Sequence, residues 1–330
     1  MKILNRYPVP TGDIIVVEAD KGKLEFLSIG DYGQSNNIKA DFLGYTKPIN
    51  GVSHGELLPL TEKWVITISS QYGCSMGCKF CDVPKVGKGI NATEDDMINQ
   101  VKTAMNLHPE IDHGRINLHY ARMGEPSFNM DVVGSAYKLQ EMLVPKFDFH
   151  PVVSTMMPNK NVYLQAFIDA WMGYKELTKD AGLQLSINST DEVKRMWMFN
   201  NQALCLSDIG RIVNQSIDYH GVEGRKVTLN FILSGWKHNK KCFEIDPEKL
   251  LKYFDPQYYM CKITPMHDTS SSKTNELMIE GYDLYDTYKD IEESLVNAGY
   301  DTLVFVPSIE EDISKITCGN AILAGANDEE

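Results

Sequence analysis

The sequence predicts an α/β fold, a partial (β/α)6-type barrel, on three observations. From Trp64 onward, short apolar strand candidates alternate with helical stretches, a pattern that argues for βα units and a parallel sheet. Three cysteines, Cys74, Cys78 and Cys81, sit in the loop directly after the first of those strands. In barrels of this kind the C-terminal ends of the strands are where catalytic residues collect. The first 62 residues differ in texture, with short β candidates split by turn signals and no helical period. Periodicity by itself leaves a doubly wound sheet open as the competing architecture.

The elements follow in order. Asp13–Glu18 and Lys23–Ser28 read as strands joined by the turn signal Asp20-Lys-Gly22. Such a hairpin caps something larger and forms no core alone. Gly51, His54 and Gly55 fall in a loop before Trp64–Ser69, a strand that runs into the cysteines. Thr93 with Glu94, Asp95 and Asp96 is an N-cap with an acidic first turn, and Met97, Val101 and Met105 share one face of the helix that follows. Strands are predicted at 116–120, 152–155, 183–187, 227–233, 259–264 and 302–306. Helices are predicted at 131–143, around Leu164, Phe167 and Trp171, from Glu192 towards Tyr219, at 247–254 and across 277–296. The acidic end, Asn327–Glu330, reads as a solvated tail.

Composition bounds the function. A chain of 330 residues with 43% apolar and 23% charged residues has the make-up of a globular protein with a large core. The charge of −13, from 32 basic and 45 acidic residues, gives no support to a broad polyanion-binding surface and leaves room for a local basic groove. Seven cysteines, an odd number with three clustered, fit metal chemistry in a reducing compartment better than a disulfide framework. Neither a signal-peptide h-region nor a membrane-spanning apolar run is visible, so a cytoplasmic protein without membrane association is expected.

The run Cys74-Ser-Met-Gly-Cys78-Lys-Phe-Cys81 brings three soft ligands within eight residues, with no fourth at a comparable spacing. Iron–sulfur clusters are held by thiolates, usually four, so a three-cysteine clasp leaves one iron open for chemistry. Phe80 would give such a cluster apolar cover. A zinc site short of one ligand, or a disulfide with a spare thiol, fits the spacing as well. One βα unit later comes Met123-Gly-Glu-Pro126, where a glycine allows close backbone approach and a carboxylate stands ready for an ammonium group.

These motifs resemble the radical S-adenosylmethionine (SAM) superfamily. The order of Ser69–Cys74, Lys85, Gly87, Gly124-Glu-Pro126, Asn129, Ser154-Thr155, Ser186–Asn188, Ile263–His267 and Glu311–Gly319 narrows the resemblance to the RlmN/Cfr-type methyl synthases, across about residues 64–325. The resemblance implies an incomplete α/β barrel and a [4Fe–4S] cluster on Cys74, Cys78 and Cys81. It implies SAM held by Gly124, Glu125, Ser154, Ser186, Asn188 and His267. It further implies a methyl-carrying Cys318, an adenine ring carbon in rRNA or tRNA as acceptor, and a flavodoxin or ferredoxin as electron donor. In that chemistry a SAM-derived radical takes hydrogen from the S-methyl group on the cysteine, and the methylene radical adds to an electron-poor sp² carbon that polar transfer cannot reach. Taken alone, Cys318 would be read as a packing residue, and Ser154 and Ser186 as strand-end hydroxyls.

The chain departs from the family pattern in several places. Asn188 stands where histidine is usual and His267 where asparagine is usual; both types can hydrogen-bond the ribose or carboxylate of SAM, with altered geometry. Thr67 replaces the cysteine that resolves the enzyme–substrate adduct, leaving Cys205, Cys242 or Cys261 as substitutes, or a different resolution step. Asp41 and Glu56 are the candidates for the family's proton-abstracting carboxylate, and the basic run Trp236–Lys241 is a candidate phosphate contact. The expected organisation is a β-rich region over 1–62, a barrel over 63–309 and a C-terminal segment over 310–330 that returns Cys318 to the active site. An enzyme acting on a small molecule or peptide is the competing function, and an electron-transfer protein the non-enzymatic one.

Overall fold

The structure, a computed structural model, describes residues 1–9, 11–30, 38–39, 60–236, 244–278, 286–306 and 309–325. Asp41, His54, Glu56, Lys237–Lys241, Cys242 and the acidic tail lie outside these residues.

The chain opens with strands β1 (Lys2–Val9), β2 (Gly12–Ala19) and β3 (Gly22–Ile29), followed by the short β4 (Ile38–Lys39) and by β5 (Lys63–Ile68). The three-cysteine loop is bracketed by a small antiparallel pair, β6 (Gln71–Gly73) and β7 (Lys88–Asn91). Then come α1 (Glu94–Leu107), β8 (Gly114–Tyr120), α2 (Asp131–Leu143), β9 (Phe147–Thr155), α3 (Leu164–Thr178) and β10 (Gly182–Ser186). They are followed by α4 (Glu192–Met198), α5 (Leu206–His220), β11 (Val227–Leu233), β12 (Gly235–Trp236), α6 (Pro247–Leu251) and β13 (Tyr259–Pro265). The last stretch holds α7 (Ser270–Thr274), β14 (Leu277–Met278), α8 (Asp286–Asn297), β15 (Asp301–Val306), α9 (Ile309–Ile313) and α10 (Ile322–Gly325).

The main sheet runs β1-β2-β3-β5-β8-β9-β10-β11-β13-β15-β4. Strands β5, β8, β9, β10, β11, β13 and β15, the seven predicted from Trp64 onward, pair in parallel. The antiparallel β1–β3 meander continues the same sheet, β3 pairing with β5 through Leu27↔Thr67. Residues 277–296 are not one helix: Leu277–Met278 pairs with Gly235–Trp236, and α8 begins only at Asp286.

Strand alternation places the side chains. On β5 the pattern is strict, with Trp64, Ile66 and Ile68 buried beneath helices while Lys63, Val65 and Thr67 face the lumen. On β3, Leu24 and Phe26 join the main core, whereas Leu27 and Ile29 pack with Ile14 and Ile316 in a separate cluster. Both faces of the hairpin are therefore covered, and what it covers on the lumen side is the C-terminal segment. Helix α1 starts at Thr93, the predicted N-cap, whose hydroxyl accepts from the Asp96 amide, and the Asp96 side chain completes a capping box by accepting from the Thr93 amide. Its Met97 and Val101 are fully buried.

Candidate active site

The three-cysteine loop is fixed by its backbone. The Lys79 amide donates to Met198 O at 2.9 Å, and the Gln202 side-chain amide donates to Met76 O at 2.9 Å. The Thr269 hydroxyl donates to Phe80 O at 2.9 Å. Phe80 packs edge-on against Phe199, giving the loop the apolar cover expected. Asp82, next to the last cysteine, accepts from the backbone amides and hydroxyls of both Ser270 and Ser271 at 2.6–2.9 Å. Burial alone would raise the Asp82 carboxyl, but the Ser271 and Ser270 hydrogen bonds hold it down at about 2.

Burial pushes the Cys74 thiol up to about 12 and those of Cys78 and Cys81 well above their ordinary value. Thiols so placed stay protonated until a metal ionises them. The three feel one another electrostatically. Among the described residues, no three His, Cys, Asp or Glu side chains form a site for one metal ion. A cubane cluster distributes its ligands over separate irons, so it accepts thiolates set farther apart than those around one ion. An all-thiol donor set in an apolar, hydrogen-bonded loop fits such a cluster.

Cys318 comes to the same place from the far end of the chain. The Asp82 amide donates to Gly319 O at 2.8 Å, which ties the Cys318–Gly319 turn to the cysteine loop. Gly319 has φ +89°, a backbone conformation that favours glycine, and an added Cβ would sit tightly at 3.2 Å from Phe80 O. The Cys318 thiol is within electrostatic reach of Cys78 and Cys81. Cys318 is exposed and lines an open pocket of about 140 Å³ together with Thr67, His119, Arg122 and Asn320, among others.

Two residues that the motifs do not mark hold this segment. Glu25, fully buried on the lumen face of β3, accepts from Arg122 Nε at 2.6 Å and from the amides of Ile322 and Leu323 at 3.1 and 3.0 Å. Arg122 Nη1 donates to Lys315 O at 2.8 Å. Glu25 lies in a run of apolar residues, and a charge inside such a strand is the one sequence signal that could have found it.

The remaining predicted residues line the strand ends. Gly124 has φ +106°, with Gln71 Cβ only 2.6 Å from where its own Cβ would be. Gln71 Oε1 accepts the Glu125 amide at 2.8 Å. The Glu125 carboxylate is buried and accepts from the amides of Ser127 at 3.1 Å and Met156 at 3.0 Å. Burial raises its pKa, and the hydrogen bonds from Thr155, Met156 and Ser127 work against that shift. An ammonium ligand would complete this arrangement.

Ser154 donates to Gln184 at 3.0 Å, and the Ser186 carbonyl accepts from Arg195 at 3.2 Å. Asn188 adopts φ +63° with its side chain buried, and neither its oxygen nor its nitrogen has a protein partner. Arg195, absent from the sequence reading, is fully buried over the Phe199 ring with Nε and Nη1 unpartnered. Burial lowers its pKa to about 10, Glu192 acting against the shift. Two orphaned polar side chains beside the strand ends, one amide and one cation, fit the polar groups of a bound amino-acid ligand such as SAM. His267 is placed differently, its ring 3.2 Å from Asp312 and so turned towards the C-terminal segment.

Of the substitute thiols, Cys261 is fully buried in the main core and Cys205 contacts Asp208 at 3.1 Å at the start of α5; neither lines the Cys318 cavity. No described helix is long and apolar enough to cross a membrane.

No protein-family model matches the chain. The probable dual-specificity RNA methyltransferase RlmN of Prochlorococcus marinus strain NATL1A is 21% identical over 265 residues, 78% of this chain and 70% of that protein. Its counterpart in strain MIT 9303 is 21% identical over 226 residues, 68% of this chain and 61% of the relative. RlmN of Helicobacter hepaticus is 35% identical over 79 residues, 24% of this chain and 21% of the relative. The chain thus spans less than two thirds of the last two relatives. A crystal structure of a radical SAM methyltransferase from Sphaerobacter thermophilus superposes on 98% of this chain and 81% of that one, with a TM-score of 0.65 at 16% identity. In sequence the chain is distantly similar to RlmN proteins over much of its length, and its fold is that of the Sphaerobacter thermophilus radical SAM methyltransferase.

Proposed function

We propose that the protein is a radical SAM methyltransferase that uses Cys318 as methyl carrier and acts on an sp² carbon, adenine in rRNA or tRNA. The observation that carries this reading is the hydrogen bond from the Asp82 amide to Gly319 O, which sets a distant cysteine against the three-cysteine loop. Cys74, Cys78 and Cys81 would hold the [4Fe–4S] cluster. Glu125 would take the ammonium group of SAM, and Arg195 with Asn188 its carboxylate and ribose, alongside Ser154 and Ser186. When bound, the cluster and SAM supply a carbon radical that takes hydrogen from a methyl group. The chain's own part is placement: Asp82 and Glu25 hold Cys318, and the Gln71–Glu125 pair fixes the SAM end.

Basic side chains around the Cys318 pocket favour an acceptor that carries phosphates beside its reacting base. Arg225, Lys262 and Lys63 all act on His119, and Lys262 with Arg122 acts on Cys318, inside a protein whose net charge is −13. Thr67 favours the second reading, a small-molecule or peptide acceptor, since the described residues offer no resolving thiol at the Cys318 cavity. Anaerobic turnover with trideuteromethyl-SAM, followed into rRNA, tRNA and small molecules, decides between them. Label in RNA supports the first reading, and label confined to small molecules or peptides overturns it.

A further inference from the structure

The cavity beside Cys318 has two polar groups that the protein leaves open. Arg122 is bound to Glu25 and Lys315, the Thr317 hydroxyl to Asp312, and the Asn320 side chain to Thr317. Thr67 and His119 line the same cavity, and among the described residues neither side chain has a hydrogen-bond partner. They lie directly opposite each other, Thr67 on β5 and His119 on β8. Adjacent strands run about 4.8 Å apart, so the hydroxyl and the imidazole rise side by side from one level of the lumen.

The chemistry of the pair is specific. His119 is pushed down to about 3 by burial and then by Arg225, Lys262 and Lys63, so the imidazole is neutral at ordinary pH. A neutral imidazole offers one donor and one acceptor, and a hydroxyl supplies either. A cavity of about 140 Å³ is smaller than the roughly 300–1,000 Å³ of drug-sized pockets, so it takes a single ring system. The surrounding cations disfavour a positively charged ligand.

We propose that Thr67 and His119 recognise the acceptor, hydrogen-bonding the edge of one neutral planar nitrogen heterocycle, a nucleobase, held against the Cys318 thiol. The assignment rests on the reading of Cys318 as methyl carrier. It gives Thr67 a role of its own: specificity at the position where a resolving thiol is missing.

Equilibrium dialysis of adenosine against the iron-reconstituted holoprotein tests this, with SAM in excess so that adenosine cannot occupy the SAM site. Thr67→Val and His119→Leu are each expected to weaken adenosine binding about tenfold, the effect of one hydrogen-bond partner lost. His119→Gln keeps a donor and an acceptor and is expected to retain binding. Purine riboside, which lacks the amino group, is expected to bind wild type as weakly as adenosine binds the variants. Iron content checks that each variant is folded. Adenosine binding that is absent from wild type, indifferent to both substitutions, or abolished by SAM overturns the acceptor site. Methylation of Cys318 in the same wild-type preparation incubated with SAM, read by peptide mass spectrometry, tests the carrier reading separately, so the two fail independently.

Discussion

Arg122 Nε and the Glu25 carboxylate meet at 2.6 Å across 97 residues of sequence, both almost wholly removed from solvent. The pair joins the N-terminal hairpin to the loop after β8, and through the Ile322 and Leu323 amides it reaches the segment that bears Cys318. Removing one member of a buried ion pair strands the other without compensation. Glu25→Gln is therefore expected to destabilise the protein by roughly 3–5 kcal/mol. Hydrogen exchange should accelerate at the Ile322 and Leu323 amides more than at α1; uniform acceleration would dissociate Glu25 from the Cys318 segment.

Cys318→Ala is expected to leave iron content and SAM cleavage intact and to abolish methylated product. Alanine at Cys74, Cys78 or Cys81 should remove the iron and the cleavage together. Loss of iron in Cys318→Ala would instead make Cys318 a fourth cluster ligand and turn the site towards electron transfer.

At Gly124 the left-handed backbone and the nearby Gln71 both exclude a side chain. Gly124→Ala should cost about 1–3 kcal/mol in chemical denaturation. It should also weaken SAM binding, because the displaced Gln71 no longer holds the Glu125 amide.

The unpartnered nitrogens of Arg195 predict a ligand-dependent effect. Arg195→Met should reduce the rise in melting temperature that SAM produces in wild type, with a smaller change in the free protein. An unchanged SAM-induced rise would exclude Arg195 from the SAM site.

His119 gives a pH dependence whose sign follows from its neutral folded form. Its folded pKa, about 3, lies below the ordinary value of 6.5, so between the two the unfolded chain binds more protons. The stability of wild type relative to His119→Gln should be fully present above about pH 6.5 and fall as the pH drops towards 3. Arg225, Lys262 and Lys63 are the cations that face the ring. A stability difference that is flat across that range would mean that His119 is solvated and chargeable in the fold.

Much of this was legible in the sequence where a local pattern decides the outcome. The Thr93 N-cap, the bounds of α2 and the strand entering the cysteine loop follow from residues a few positions apart. The 277–296 stretch was misread because Leu277 and Met278 find a strand partner, Gly235–Trp236, that no local period reveals. Glu25, Arg122, His119 and Arg195 were missed for a related reason. Each takes its meaning from a partner or cavity assembled across the sheet, and each is, in its own neighbourhood, an ordinary charged or polar residue.

The bond between Glu25 and the Leu323 amide closes a loop of 298 positions, among the most expensive closures the chain makes, in entropy. Such a contact forms only after the intervening strands have brought its ends together, and it is lost before they separate. The thiol at 318 is accordingly expected to be installed late in folding and released early under stress. A partly unfolded molecule would keep its cysteine loop while losing the Cys318 thiol beside it.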